Sequence, residues 1–434
     1  MKMRLILIGV LLVQLFWHSG AAERREFPVG VYLSWELAHA YAQENRLPLL
    51  DFVDNCLRLC RERGVNTLWV TNIDAGDLPG VQELCRKHEI RLLANSCEGK
   101  VAGYYADDAA ALRSQIKRMK EAASPELDYW IISDEPEARD AANLAKYVEI
   151  LRQRDPGRKC TLVVTAHMVE HIIGKVPVDM AAVDPYPFFG PGDPNGPHTR
   201  ATSQAYFRSV GERFVAACRR AGIEPWLMPQ SFAELWGPYR YAEDGMLIAQ
   251  PGAYLHWITP TVEETRWQLF ESLRQGVQGV IFFQLVPTML PERGKLPSPD
   301  VSWKEVLVRK EVSAGYGALL TVHGKATPQF DELGRLFPIL RECTEVLREV
   351  RPADLPEWFA DLPDSVCAAA FSTQEKAETV LILVNDDLDN SIRVSLAQTG
   401  WKDLISGREC RESLELEPGG GAVLVYGRGE NAVR

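Results

Sequence analysis

Two adjacent carboxylates, Asp134 and Glu135, end the run Leu127-Asp128-Tyr129-Trp130-Ile131-Ile132-Ser133 and are followed at once by Pro136. Tyr, Trp and two Ile suit a strand covered on both faces, and a proline that cannot donate to a ladder stops it. Acid at the tip of such a strand has two readings. It can cap the helix opened by Glu135-Pro136-Glu137, because proline and acidic residues favour a first helical turn. Alternatively, the pair can move protons. Neighbouring carboxylates raise each other's pKa, which keeps one of them able to donate near neutral pH.

Other polar residues close apolar runs in the same way. Trp35 and Glu36 follow the run 27–33, Asn72 follows 65–71, Asn95 follows 90–94, and His167 comes just after 160–165. Asp184 and Tyr186 follow 180–183, Gln230 closes 224–229, and Gln284 closes 279–283. Carboxylates and amides hydrogen-bond hydroxyls, and aromatic faces stack on sugar rings, so this set suits a neutral, hydroxyl-rich ligand. The stretch 232–257 adds Trp236, Tyr239, Tyr241, Tyr254 and Trp257, together with Glu234. Each of these aromatics alone reads as packing; grouped on one insertion they read as a binding surface. His167 is a ligand or proton shuttle in one reading and a hydrogen-bonded support in the other. The eight His are dispersed and no His/Asp/Cys set has ligand spacing, which predicts no metal site. No glycine-rich phosphate loop follows any strand, so no nucleotide cofactor is expected.

The elements that must carry these residues alternate. Apolar residues at helical spacing fill 48–63, 79–88, 107–122, 140–154, 202–221 and 261–275, and each segment lies between two of the strand-like runs. Eight strand-then-helix units predict an α/β protein with a closed (β/α)8 barrel (TIM barrel) over residues 23–350, its polar strand tips converging on one face. An open doubly wound sheet fits less well without a phosphate loop. Segments 302–319 and 329–350 read as closing helices and 351–356 as a linker. Short strands separated by turns over 357–428 predict a small all-β antiparallel sandwich, with a tail at 429–434.

Residues 1–22 carry Lys2 and Arg4, an apolar run and a small-residue end, the pattern of a signal peptide. Export to the periplasm, the cell surface or the exterior is the expectation, with no integral membrane segment after cleavage. The formal charge of -11 argues against nucleic acid as a partner. Nine scattered cysteines read mostly as small core residues.

The β-region motifs Val384-Asn385-Asp386, Asp403-Leu404-Ile405-Ser406-Gly407, Leu416-Glu417-Pro418-Gly419-Gly420 and Val423-Leu424-Val425-Tyr426 resemble the closing strands of secreted (β/α)8 glycoside hydrolases. The resemblance implies a hydrolase with a carbohydrate substrate and no cofactor. In the large retaining clan of that type, strand four ends Asn-Glu-Pro with the Glu as acid/base, and strand seven ends in a Glu nucleophile. Here Glu135 matches the acid/base, Asp134 replaces the amide, and Gln230 stands where the nucleophile is expected, leaving Glu234 as the alternative nucleophile. The consecutive Asp-Glu pair is similar to the barrel β-N-acetylgalactosaminidase and N-acetylhexosaminidase families, in which the substrate's 2-acetamido group attacks. That likeness implies Glu135 as general acid, Asp134 holding the acetamido N–H, and Tyr186 its oxygen. Gln230 also motivates a rival, a carbohydrate-binding barrel without catalysis. A lyase or aldolase would want a Lys at a strand tip, and none stands there.

Overall fold

Eight parallel strands close on themselves in the computed structural model: β1 (Val29–Ser34), β2 (Thr67–Thr71), β3 (Arg91–Asn95), β4 (Tyr129–Asp134), β5 (Lys159–Val164), β6 (Met180–Val183), β7 (Glu224–Leu227) and β12 (Val280–Phe282), which pairs back with β1. The structure describes residues 26–97, 109–190, 193, 194, 196, 199–296, 313, 314, 316–348, 350–356, 362–373, 379–396 and 398–426. The expected signal peptide and tail lie outside these residues. Within the strands, side chains alternate between two cores. Tyr32, Trp69, Leu93, Ile131, Val163 and Trp226 form one cluster that fills the barrel, while Leu33, Val70, Trp130, Leu162 and Leu227 join the core against the helices.

Strand β4 breaks this alternation at a decisive place. Ile131 pairs with Thr161, but Ser133 pairs with Leu162 and Asp134 with Val163, so one extra residue is inserted around Ile132. A slip of one residue moves every following side chain to the opposite face. Without the bulge Asp134 would share the outward side of Trp130 and Ile132. With it, Asp134 comes into phase with the inward-facing Val163.

Helices α1 (Trp35–Glu44) and α2 (Leu49–Glu62) follow β1, then α3 (Leu78–Lys87), α4 (Ala109–Ala122), α5 (Ala141–Arg154), the short α6 (Val169–Ile172), α7 (Arg200–Ala221), α8 (Val262–Arg274), α9 (Pro328–Glu342) and α10 (Thr344–Arg348). In α2, Phe52, Val53, Cys56, Leu57 and Cys60 recur at helical spacing and are buried. Helix α7 begins where Thr199 accepts a bond from the Thr202 N–H and stops at Gly222, whose φ of 68° few other residues adopt cheaply. Eight of the nine cysteines are buried, and Cys367 is partly so.

Between β7 and α8 the aromatic insertion folds as hairpins. Strand β8 (Glu234–Trp236) pairs with β11 (Tyr254–Trp257), and β9 (Tyr239–Tyr241) and β10 (Leu247–Ala249) form a second sheet with β13 (Ser313–Ala314). Of the expected closing helix at 302–319, residues 302–312 lie outside the described residues. Ser313 and Ala314 belong to the β13 strand, and residues 316–319 are buried but not helical.

The C-terminal domain has a six-stranded antiparallel sheet, β14 (Val350–Ala353), β15 (Val366–Thr373), β16 (Thr379–Asn385), β21 (Gly421–Tyr426), β18 (Trp401–Asp403) and β19 (Glu409–Cys410), and a ribbon of β17 (Ile392–Ser395) with β20 (Ser413–Leu416). The two enclose Leu381, Leu383, Val394, Trp401 and Leu424. Residues 351–353, read as linker, are edge strand instead: β14 pairs with β15 from Val350–Thr373 to Ala353–Ala370. Pro352 is tolerated because an edge strand leaves one side of its backbone unpaired.

This domain is docked on α7 and α8. Asp386 accepts bonds from Arg208 Nη2 at 2.9 Å to each oxygen and from Trp267 Nε1 at 2.9 Å. Gly421 lies so close to α8 that a Cβ there would meet the Phe270 ring at 2.6 Å.

Candidate active site

Because β4 carries its bulge, the Asp134 side chain reaches the barrel mouth, where its Oδ2 accepts a hydrogen bond from Tyr32 Oη at 2.8 Å. Tyr32 Oη is also 2.7 Å from Thr71 Oγ1, which ties together the tips of β1, β2 and β4. Glu135 then adopts φ = 50°, a left-handed conformation that costs a non-glycine residue about 1–2 kcal/mol. Its N–H still donates to Val163 O at 3.1 Å, so the backbone turns without leaving the barrel. Bulge and turn together let two successive side chains enter one cleft. Such strain on a carboxylate points to function.

A third carboxyl completes the cluster. Asp184, just past β6, is buried and in side-chain hydrogen-bond contact with Glu135. Its Oδ1 is buried and has no hydrogen-bond partner among the described residues. Two carboxyl groups can hold such a contact only if one keeps a proton. Burial, the contact with Glu135, and the charges of Glu135 and Asp134 drive the Asp184 pKa well above the usual carboxylate range. Asp134 is pushed up to about 6 by burial and by Glu135, with the Tyr32 hydroxyl acting in the opposite sense.

Tyr186 stands beside the three acids. Burial, then Asp184, Glu135 and Asp134 in turn, hold its phenol well above the usual range, so it stays a hydrogen-bond donor. Its ring packs on Phe232 (4.9 Å between centroids), Phe283 (5.5 Å) and Trp257 (5.6 Å). Phe283 in turn lies 4.6 Å from Tyr32, which makes one aromatic wall from β1 to the insertion.

Glu234 enters from strand β8. Its Oε2 accepts from Trp236 Nε1 at 3.1 Å, and burial raises its pKa, with Trp236 and His256 opposing and Glu135 adding to the rise. Trp236 stacks on His256 at 3.8 Å, and the buried His256 Nδ1 is bonded to Asp193 Oδ2.

Several expected ligand contacts are structural. Gln230 is fully buried: its Oε1 accepts from Phe188 N at 2.9 Å, and its Nε2 donates to the carbonyls of Phe188, Phe232 and Ile258. It clamps three loop segments and has no group left for a substrate. Asn95 does the same for the loop after β2, bonding Ile73 N at 2.8 Å and Ile73 O at 3.0 Å. Trp35 opens α1 rather than lining the mouth; it is buried, with Nε1 on Asp77 Oδ2 at 2.8 Å. Glu36 is exposed on the first turn of α1. Gln284 is buried and donates to Thr288 Oγ1 at 3.0 Å. Asn72 is partly exposed, with φ of 62°, and His167 is exposed.

Tyr32, Thr71, His256 and Asp193 take part in the cluster or its support and were not among the expected residues. Tyr32 was legible in principle: it is a polar aromatic at an inward position two residues before the end of β1. His256 and Asp193 are joined only by tertiary structure.

No protein-family model matches the chain, and no curated protein matches it. Solved structures do. The beta-galactosidase from Bacillus circulans sp. alkalophilus matches with a TM-score of 0.56 at 9% identity, over 92% of this chain and 99% of that one. A GH2 beta-galacturonidase from Eisenbergiella tayi, bound to galacturonate, matches with a TM-score of 0.43 at 13% identity, over 70% of this chain and 50% of that one. The chain thus spans about half the length of the latter enzyme. At these identities the first likeness establishes the fold: a (β/α)8 barrel followed by a small β-domain.

Proposed function

We propose that this chain is an exported glycoside hydrolase in which Glu135 is the general acid. The observation that carries the proposal is the convergence of Asp134, Glu135 and Asp184 with Tyr32 and Tyr186 at the C-terminal mouth of the barrel. A carboxyl on a strained backbone turn, in an aromatic-walled cleft with two further carboxyls beside it, suits acid catalysis at a glycosidic oxygen. The Bacillus circulans enzyme of the same fold is a beta-galactosidase, which agrees with a carbohydrate substrate.

In the reading we favour, the Glu135 proton passes to the leaving glycosidic oxygen as the C–O bond breaks, and the substrate's 2-acetamido oxygen closes on the sugar carbon. Asp134, mostly ionised above about pH 6, holds the acetamido N–H and balances the oxazolinium charge. The Tyr186 hydroxyl steadies the acetamido oxygen. The locked Gln230 supports this reading, since strand seven then offers no nucleophile at its tip. A second reading rests on Glu234, whose electrostatic link to Glu135 suits a nucleophile facing an acid/base.

A panel of nitrophenyl glycosides separates the two. The acetamido reading predicts turnover of 2-acetamido sugars only and no covalent labelling by 2-fluoro glycosides. A 2-fluoro sugar attached to Glu234 replaces it with double displacement. Glycan binding without turnover of any glycoside returns the barrel to a binding role.

A further inference from the structure

Glu135 and its immediate sequence neighbour invite attention as the working pair, but the side chain in hydrogen-bond contact with Glu135 lies elsewhere. Asp134 has its Oδ2 occupied by Tyr32. The carboxyl in hydrogen-bond contact with Glu135 is Asp184, brought from the adjoining region after β6. Asp184 is only 7% exposed, whereas Glu135 is open to solvent. Of two carboxyls sharing a proton, the buried one keeps it, because water stabilises the charge on the exposed one. The groups facing Asp184 are Glu135, Asp134, Tyr186 and, from α7, Tyr206. The two acids both disfavour a second negative charge, and neither tyrosine supplies a cation.

We infer that Asp184 is a positioning residue that stays protonated through turnover and donates its hydroxyl hydrogen to Glu135. This assignment rests on the glycosidase reading and adds to it. While Glu135 is protonated, the contact fixes the direction in which its own O–H points. When the Glu135 O–H bond breaks and its proton leaves on the glycosidic oxygen, the Asp184 hydroxyl meets the new negative charge on Glu135. Asp184 neither gains nor loses a proton in the step. The role resembles that of a neutral carboxylic acid held in an apolar site so that it can donate a hydrogen bond. It also explains why Asp184 Oδ1 is buried with no donor among the described residues: a neutral carboxyl tolerates that isolation far better than a carboxylate.

The substitutions Asp184→Asn and Asp184→Ala distinguish a donor from an anion. An amide keeps an N–H for Glu135 in the same shape, so Asp184→Asn should lose no more than about threefold in kcat, whereas Asp184→Ala should lose about 100-fold, the usual cost of removing one aimed donor. An equal, severe loss in both variants would mean that an anion is required and would overturn the assignment. Infrared spectra of the free protein give a readout that does not depend on finding a substrate. At pH 8 the wild type should show the C=O stretch of a protonated carboxyl that Asp184→Asn lacks. A wild-type spectrum without that band refutes the protonated Asp184 whether or not any glycoside is hydrolysed. A band present in the wild type with no turnover on any glycoside leaves Asp184 as assigned and refutes the glycosidase reading.

Discussion

Acidic side chains serve opposite ends at the barrel mouth and at the junction between the two domains. At the junction three acids meet cations: Asp386 is held by Arg208, Asp389 by Arg200 at 2.8 Å, and Glu417 by Arg335 at 3.0 Å and Arg266 at 3.3 Å. At the mouth, Asp134, Glu135 and Asp184 meet one another and two tyrosines. A fold that wanted only stability would pair or exchange these buried acids, because an unpaired buried carboxyl lowers stability once it ionises. The same chain builds matched ion pairs a short distance away, so the unmatched cluster is a property of that site. Its cost is understandable if one of the acids, Glu135, must give up a proton during a reaction while the other two hold fixed protonation states beside it.

Breaking the matched region should have the larger effect on the folded state. Asp386→Ala removes the acceptor of Arg208 and Trp267 Nε1 together. We expect a loss of about 1–2 kcal/mol, since Trp267 Nε1 and Arg208 Nη2 lose their acceptor at a largely covered contact while Arg208 keeps Glu271 at 3.3 Å, read as a lower denaturation midpoint. Hydrolysis by the remaining folded protein should persist. A midpoint unchanged from wild type would show that the junction is held by the apolar contacts around Phe270 and Gly421.

A smaller effect sharpens the description of the mouth. Asp134 has a folded pKa of about 6, above the value of about 3.9 for an unfolded Asp. Its contribution to stability is therefore fully present below about pH 3.9 and is lost as pH rises through about 6. Tyr32→Phe deletes the hydroxyl that favours the charged form. The Asp134 pKa should climb further, by about one pH unit, if that bond is worth the usual 1.5 kcal/mol or so for a charged acceptor. Melting temperatures measured from pH 4 to pH 8 should then fall over a window displaced upward from that of the wild type. An unmoved window would mean that Tyr32 does not stabilise the Asp134 carboxylate.

The barrel was readable in the sequence because buried strands and amphipathic helices alternate with distinct periods, and a buried parallel strand such as β4 has a composition little else shares. Asp134, Glu135, Asp184 and Tyr186 were readable because acids and phenols at strand ends stand out against apolar runs. The amides misled. Gln230 and Asn95 sit at the same kind of position, but a buried amide has donors and an acceptor that match backbone groups, and both residues spend them on loops. Nothing in composition separates an amide that clamps a loop from one that waits for a sugar. The linker was misread for a related reason: Arg351-Pro352-Ala353 has the look of a connector, yet an edge strand accepts proline. The bulge in β4 had no signature of its own. It was implied only by the requirement that Asp134 and Glu135 share a cleft, and the pairing of Ser133 with Leu162 and Asp134 with Val163 supplies it.

The role of Glu135 is tested most directly by hydrolysis of two glycosides of one sugar, one with an alkyl leaving group and one with dinitrophenolate, by wild type and Glu135→Gln. General acid catalysis contributes about 10²–10⁴-fold where the leaving oxygen needs a proton and little where it does not. Glu135→Gln should therefore lose about a thousandfold on the alkyl glycoside and only a few-fold on the dinitrophenyl one. Equal rates for the two proteins on both substrates, or equal losses on both, would contradict Glu135 as the acid.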